Sequence, residues 1–231
     1  MKVEIWSDIV CPFCYIGKRK FENALNAFDK KDQVEIIWQS FQLDPDMIPV
    51  QGQSVDQYLA DRKGVPLKEG REMNESMSNI ARGVGLEYNF DKAIISNTMN
   101  AHRLLHLAKK EGVQNDVKEK LFAAYYTNGK DVGDTETLVQ IGESAGLIAD
   151  EIRELLQGNE FIKEVRIDQF RGEQLGVQGV PFFVFNNKYA VSGAQSAEVF
   201  SNVLKKVWED EKPLMKVTDA AGFCTADGVC N

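Results

Sequence analysis

Val3-Glu4-Ile5-Trp6-Ser7-Asp8-Ile9-Val10-Cys11-Pro12-Phe13-Cys14 carries a short apolar stretch straight into a closely spaced cysteine pair. Val3, Ile5 and Trp6 mark a strand. Beyond it Cys14, Gly17, Phe21, Ala24, Leu25 and Phe28 recur at helical spacing. Pro12 suits the first turn of that helix, where a missing N–H leaves no bond unmade, so Cys11 is expected at the helix N-terminus. Residues 34–41, Val-Glu-Ile-Ile-Trp-Gln-Ser-Phe, form a second strand that ends at the Asp44-Pro45-Asp46 turn. A β-α-β start of this kind predicts a right-handed crossover and a parallel strand pair.

From there to about Leu175 the pattern is almost wholly helical. Ser54 and Gln57 are spaced as a capping box, and Pro66 opens a helix through Met73, Met77 and Ile80. Ala101, Leu104, Leu105 and Ala108 line the next, which stops at Gly112. Asn115 is expected to cap Val117, Leu121, Ala124 and Tyr125; Asp134 caps Leu138, Ile141 and Ala145, with Gly146 at the C-terminal stop. Asp150 begins a short helix to Gly158, and a longer one runs through Phe161, Val165 and Ile167. After Gly176 the period returns to strand: Pro181-Phe182-Phe183-Val184-Phe185, an Asn186-Asn187 turn, then Tyr189-Ala190-Val191-Ser192, a hairpin. Ser196 caps a last helix with the stripe Val199, Phe200, Val203, Leu204 and Val207. The order is β-α-β, a helical insert, then β-β-α, an α/β class in which one sheet is assembled from both ends of the chain. The expected division is 1–44 with 176–210 for the sheet domain, 45–175 for the insert and 211–231 for a tail.

The composition is that of an ordinary soluble globular protein, with 43% hydrophobic and 27% charged residues among 231. A formal net charge of −8, with no basic run longer than Lys18-Arg19-Lys20, opposes binding to a phosphate backbone. Lys2 is followed at once by Val3-Glu4-Ile5-Trp6, too short and too charged for the apolar core of a secretory signal, and nothing approaches the ~20 apolar residues of a membrane span. A cytoplasmic protein is expected, with neither nucleic acid nor membrane as a partner.

Four cysteines are too few for a disulfide scaffold at this length. They fall into two pairs, Cys11 with Cys14 and Cys224 with Cys230. A cysteine acts as a nucleophile only as the thiolate, and unpaired backbone N–H groups at a helix N-terminus favour that charge. Cys-x-x-Cys sites so placed fall to pKa values of roughly 3.5–7.5, so an accessible, ionised Cys11 is expected. Cys14, one turn on, can attack a mixed disulfide on Cys11 and release the product. The competing reading, half of a zinc site, needs four ligands; the five-residue spacer between Cys224 and Cys230 is longer than the usual knuckle, so no metal is expected. Gly179-Val180-Pro181 opens the closing hairpin, where a proline is either a strand-edge residue or a cis peptide shaping a loop.

Trp6-Ser7-Asp8-Ile9-Val10-Cys11-Pro12-Phe13-Cys14, a helical insert, Gly179-Val180-Pro181-Phe182-Phe183-Val184 and Val191-Ser192-Gly193-Ala194-Gln195 together resemble the DsbA family, most closely its FrnE-like branch of cytoplasmic oxidoreductases. The resemblance spans roughly residues 1 to 210. It implies a thioredoxin fold interrupted by a large α-helical insert domain. It further implies Cys11 as nucleophile, Cys14 as resolving thiol and Pro181 as a cis proline facing them. The backbone of Val180, with Pro12 and Phe13, would then meet an extended substrate peptide. The implied activity is protein disulfide reduction or isomerisation on protein or peptide thiols and disulfides, with glutathione as a candidate reductant and the cysteine pair itself in place of any cofactor. The periplasmic oxidant of that family has Pro-His between its cysteines; Phe13 here cannot donate a hydrogen bond to a thiolate, which implies a less oxidising site. The related kappa and 2-hydroxychromene-2-carboxylate isomerase group, glutathione-dependent, is the alternative, and it usually carries serine at the nucleophile position.

The resemblance also extends to the tail, because FrnE-like proteins can carry a C-terminal cysteine pair that exchanges with the main site. Cys224 and Cys230 are thus a candidate second redox pair, against two idle thiols in a chain end. His102 and His106 stand at i, i+4 on one helix without a zinc-protease pattern and are expected to be packing or surface residues. Asp8 either tunes the thiols or caps a turn. Met73, Met77, Phe122, Tyr125 and Tyr126 are expected in the insert core.

Overall fold

The computed structural model describes residues 1–50 and 52–211. Strands β1 (Lys2–Ser7) and β2 (Glu35–Ser40) lie parallel, with Val3 opposite Ile36 and Ile5 opposite Trp38, and α1 (Pro12–Asn26) crosses between them. After the intervening helices, β3 (Phe182–Phe185) pairs antiparallel with β1, and β4 (Tyr189–Ser192) antiparallel with β3. The sheet order is therefore β2-β1-β3-β4, and its central pair joins the two ends of the chain. The β3–β4 connection is the three residues 186–188, since Phe185 pairs with Tyr189; Asn186 and Asn187 take left-handed φ of 48° and 54°, and the Lys188 N–H donates to the Phe185 carbonyl at 3.0 Å to close the turn.

The period of two along β1 assigns its side chains to two layers. Val3 and Ile5 enter one apolar cluster with Phe21 and Ala24 of α1, Phe183 and Phe185 of β3, and Phe200 and Leu204 of the C-terminal helix Ala197–Asp210. Glu4 and Trp6 point the other way, toward the helix Ile162–Gln174. Trp6 Nε1 donates to the carbonyl of Asp168 at 2.8 Å, and its ring lies so close to Gly172 that a Cβ there would come within 2.8 Å of it. The buried Glu4 carboxylate accepts from Arg171 at 3.1 Å and Gln39 at 2.6 Å. This helix closes the helical stretch in chain order and packs on both sides, against the helix Met99–Lys110 and against β1 and β2 of the sheet.

The helices between β2 and β3 are α2 (Val55–Lys63), α3 (Leu67–Arg82), α4 (Met99–Lys110), α5 (Gln114–Tyr126), α6 (Thr135–Ser144), α7 (Ala149–Gln157) and α8 (Ile162–Gln174), leaving Ala197–Asp210 as α9. Their starts follow the sequence where a side chain reaches a free N–H: Ser54 accepts from Gln57, Asp134 from Thr137 and Ser196 from Val199. The Gln57 side chain turns to Asp61 instead of back to Ser54, so only half of the capping box forms. Asn115 is not a cap. The chain reverses at Gly112 (φ 75°), α5 begins at Gln114, and Asn115 inside it accepts from Trp38 Nε1 at 3.0 Å. Asp150 sits inside the first turn of α7, where a carboxylate meets the helix dipole favourably, and Ile148 precedes the helix. Phe122, Tyr125 and Tyr126 are buried as expected, whereas Met73 is 42% exposed.

Polar side chains join the insert to the sheet. The Gln114 amide accepts from the backbone N–H of Trp38 and donates to its carbonyl, both at 2.9 Å, so it covers the outer edge of β2 as a strand would. Both histidines of α4 are buried against carboxylates: His102 Nε2 lies 3.1 Å from Asp8, and His106 Nε2 3.2 Å from Asp168. No helix among the described residues is long and apolar enough to cross a membrane.

Candidate active site

Cys11 is the residue before α1, with extended backbone (φ −91°, ψ 109°), and Pro12 opens the helix. The Cys14 N–H donates to the Cys11 carbonyl at 3.0 Å, and both cysteines are free thiols buried in one cluster with Ile9, Tyr15, Ile16 and the helices of the insert. The dithiol therefore sits on the seam between α1 and the insert. Phe13 between the cysteines points outward, 45% exposed.

The loop before β3 faces the dithiol. The Val180–Pro181 peptide is cis, and the Cys11 thiol donates to the Val180 carbonyl at 3.3 Å. Gly17 lets this loop approach: a Cβ on Gly17 would stand 2.9 Å from Pro181 Cγ and 3.5 Å from Ala194. Just after β4, the Gly193 N–H donates to the Pro181 carbonyl at 2.8 Å and the Ala194 carbonyl accepts from Lys20 Nζ of α1 at 3.0 Å, so the segment that follows β4 links the loop to α1.

The ionisation expected of Cys11 is not what this geometry favours. The residue is only 3% exposed, and burial pushes its thiol well above the ordinary range. The Cys14 side chain and the Asp8 carboxylate push the same way, against the Cys14 backbone N–H. A thiol whose hydrogen is given to a carbonyl oxygen is held in its neutral form. Sequence alone locates the helix N-terminus but not the lid over it, and desolvation outweighs the helix end.

Asp8 is fully committed as an acceptor. Its Oδ1 takes Ile9 N–H at 2.8 Å and faces His102 Nε2 at 3.1 Å; its Oδ2 takes Leu43 N–H at 2.8 Å. Burial works against the Asp8 charge, but the His102 hydrogen bond and these donors win and lower its pKa. Burial lowers the pKa of His102, so the pair is a carboxylate with a neutral imidazole that donates from Nε2.

Three residues at the site were not singled out from sequence. Tyr88, after α3, donates from its hydroxyl to the Pro12 carbonyl at 2.8 Å and stacks on Tyr126 at 4.2 Å between centroids. Glu119 of α5 binds Tyr15, Lys18 and Arg19 of α1. Lys118 of α5 is completely buried. Its signal was present: Leu121, Phe122 and Tyr125 follow it at i+3, i+4 and i+7, which turns position 118 to the apolar face. Tyr88 and Glu119 carry no comparable mark. Cys224 and Cys230 lie outside the described residues.

Comparison with known proteins gives the site its context. A probable DsbA oxidoreductase of Streptomyces coelicolor, of known crystal structure, is similar at 39% identity and a TM-score of 0.85, covering 100% of this chain and 98% of that one. An uncharacterized protein of Bacillus subtilis (strain 168) is 25% identical over 205 residues, 87% of this chain and 94% of its own. The cytosolic disulfide reductase DsbM of Pseudomonas aeruginosa, solved alone and with GSH, shares the fold; the structure solved alone has a TM-score of 0.62 at 13% identity, over 90% of this chain and 99% of that one. Residues 2–205 match the model of the DSBA-like thioredoxin domain, and the chain belongs to that family.

Proposed function

We propose that the protein is a dithiol–disulfide oxidoreductase of the cytoplasm, FrnE-like, that reduces or isomerises disulfides of proteins or peptides. Cys11 is the attacking sulfur and Cys14 the resolving one. The observation that carries this reading is the juxtaposition at the start of α1: two free thiols one turn apart, with the Val180 carbonyl against the first. Cys11 attacks a substrate disulfide, forming a mixed disulfide and releasing one substrate thiolate. Cys14 then attacks Cys11, forming the internal disulfide and releasing the second. The backbone of Val180, beside cis Pro181, and the outward Phe13 offer an extended peptide a strand edge and an apolar contact.

The direction follows from the state of Cys11. A strong oxidant of this chemistry is one whose reduced form is stabilised as a thiolate. Here burial favours the neutral thiol, and Phe13 offers no hydrogen bond to a thiolate, so the reduced pair gives up its electrons more readily. The electrons rest in the sulfurs themselves without a bound cofactor. Glutathione is the proposed reductant, in keeping with a fold neighbour named as a cytosolic disulfide reductase and solved with GSH. The experiment is trapping: Cys14→Ala should hold peptides from a disulfide-bonded substrate in a covalent adduct on Cys11 that dithiothreitol releases, and Cys11→Ser should abolish insulin reduction. Insulin reduction surviving in Cys11→Ser would defeat the reading.

A further inference from the structure

The segment that offers Val180 to a substrate is held by few polar contacts. Among the described residues two hydrogen bonds reach the backbone of 178–181: the Cys11 thiol donates to the Val180 carbonyl at 3.3 Å, and the Gly193 N–H donates to the Pro181 carbonyl at 2.8 Å. Pro181 has no N–H to add a third. The first of the two cannot last through the reaction. It needs the hydrogen on Cys11 Sγ, and neither the thiolate that attacks nor the sulfur of the mixed disulfide carries one. Once Cys11 has given up its proton, the bond from Gly193 is the one that remains.

Gly193 stands just past β4 at a φ of 79°, a left-handed turn that suits glycine. The residues around it close on themselves: the Gln195 N–H donates to the Gly193 carbonyl at 3.0 Å, and the Gln195 side chain donates to the Ser192 carbonyl at 2.9 Å. The Ala194 carbonyl is taken by α1, where Lys20 Nζ donates to it at 3.0 Å. Lys20 follows Gly17 by three residues and so lies on the same face of the helix. At the Gly17 level a Cβ would stand 2.9 Å from Pro181 Cγ and 3.5 Å from Ala194. One face of α1 therefore meets the loop and its support at two successive levels, by close packing at 17 and by a charge-assisted hydrogen bond at 20.

We propose that Lys20 is a positioning residue for the capture of peptide substrates: its ammonium, through Ala194 and Gly193, holds the Val180 edge in register with Cys11 while that sulfur carries no hydrogen. The proposal rests on the dithiol reading above and deepens it. In the step it serves, the Cys11 thiol gives its proton to solvent, and the thiolate donates an electron pair to one sulfur of the substrate disulfide. The bond from Cys11 to that sulfur forms, the substrate S–S bond breaks, and the other sulfur leaves with the pair and takes up a proton. A peptide paired to the Val180 edge senses the register of the loop throughout this exchange. A small disulfide without a peptide backbone does not.

The test uses the full chain with Cys14→Ala, so that the adduct on Cys11 accumulates, and compares a fluorescent peptide disulfide with hydroxyethyl disulfide. Lys20→Met keeps the aliphatic stem and removes the donor. The second-order constant for capture of the peptide is expected to fall about tenfold, the worth of one charge-assisted hydrogen bond, while that for hydroxyethyl disulfide stays within about twofold. Lys20→Arg, which keeps a charged donor, should restore peptide capture to within about threefold of the lysine protein. Hydrogen exchange at the Gly193 amide should quicken in Lys20→Met, and by a larger factor in the hydroxyethyl adduct than in the free thiol, because only the adduct has lost the bond from Cys11. Lys20→Ala serves as the neutral variant if the methionine protein does not fold. Unchanged peptide capture in the neutral variant, an equal loss with both disulfides, an arginine variant as slow as the neutral one, or Gly193 exchange that ignores the state of Cys11 overturns the proposal. If the protein with Lys20 intact forms no adduct with either disulfide, the dithiol reading itself falls, a result told apart from the others because Lys20 is untouched in it.

Discussion

The thiol of Cys11 donates its hydrogen to the carbonyl oxygen of Val180 at 3.3 Å, joining the first residue before α1 to the residue before the cis proline. On the proposed function, a substrate strand added at the Val180 edge would compete for that carbonyl, which would couple binding and activation of the sulfur at one atom. Without substrate, Cys11 is a buried neutral thiol.

From this follows the behaviour of the reduced, substrate-free protein toward alkylating agents. Cys11 should react with iodoacetamide at pH 7 more slowly than free cysteine, and the rate should still be rising at pH 9, because burial moves its ionisation upward. A rate at pH 7 above that of free cysteine, with a plateau below pH 7, would show an ionised Cys11 and refute this account.

The reduction potential tests the same feature thermodynamically. A pair whose reduced form gains no thiolate stabilisation should equilibrate with glutathione buffers nearer the thioredoxin figure of about −270 mV than the roughly −120 mV of the strong oxidant. A measured value near the latter would contradict the burial argument.

Gly17 is the position where α1 makes room for the active-site loop. In Gly17→Ala the new methyl would stand 2.9 Å from Pro181 Cγ, part of a ring that cannot rotate away. Overpacking of this kind costs about 1–3 kcal/mol. The loop must shift off α1, so disulfide exchange should fall more than the urea midpoint alone accounts for. Wild-type exchange in a fully folded variant would show that the close approach is unimportant.

Much of this arrangement was legible in the sequence because local rules and tertiary demands agree. Pro12 starts α1, Asn186-Asn187 sets the hairpin, and the period of two in Val3-Glu4-Ile5-Trp6 sorts two layers. What was not legible depends on distance in space. Asn115 looks like a cap, but Trp38 of β2 claims its side chain. Chain order groups α8 with the insert, and it does meet α4, but the contact of Trp6 with Gly172 that also holds it to the sheet has no local mark. The helix N-terminus at Cys11 was readable, whereas the burial that reverses its electrostatic effect comes from Val180, Tyr88 and the insert, far away in sequence.

Tyr88 carries a prediction that no local pattern suggested. Its hydroxyl is the one insert group described as bonding to the backbone between the cysteines, at Pro12. Tyr88→Phe keeps the stack on Tyr126 and removes only that bond, which should lower stability by about 1 kcal/mol. The urea midpoint measures it, and no change would mean that the Pro12 carbonyl is satisfied within α1.

Acid should loosen the attachment of the insert before it unfolds the sheet. His102 is neutral in the folded protein because burial lowers its pKa, while in the unfolded chain it titrates near 6.5. The unfolded state therefore binds the extra proton first, and as pH falls below about 6.5 stability declines by up to about 1.4 kcal/mol per unit until the folded-state value is reached. Asp8 acts in the same direction at lower pH. Its pKa is also depressed, so its contribution is present above the ordinary carboxylate range near 3.9 and is lost as pH falls through the folded value. Urea midpoints should thus be flat from pH 8 to 7, decline from about pH 6.5, and steepen again below pH 4. His102→Gln, which retains a donor for Asp8 but does not titrate, should abolish the decline between pH 6.5 and 5 while keeping the acid limb. An unaltered slope in that variant would assign the decline to another group.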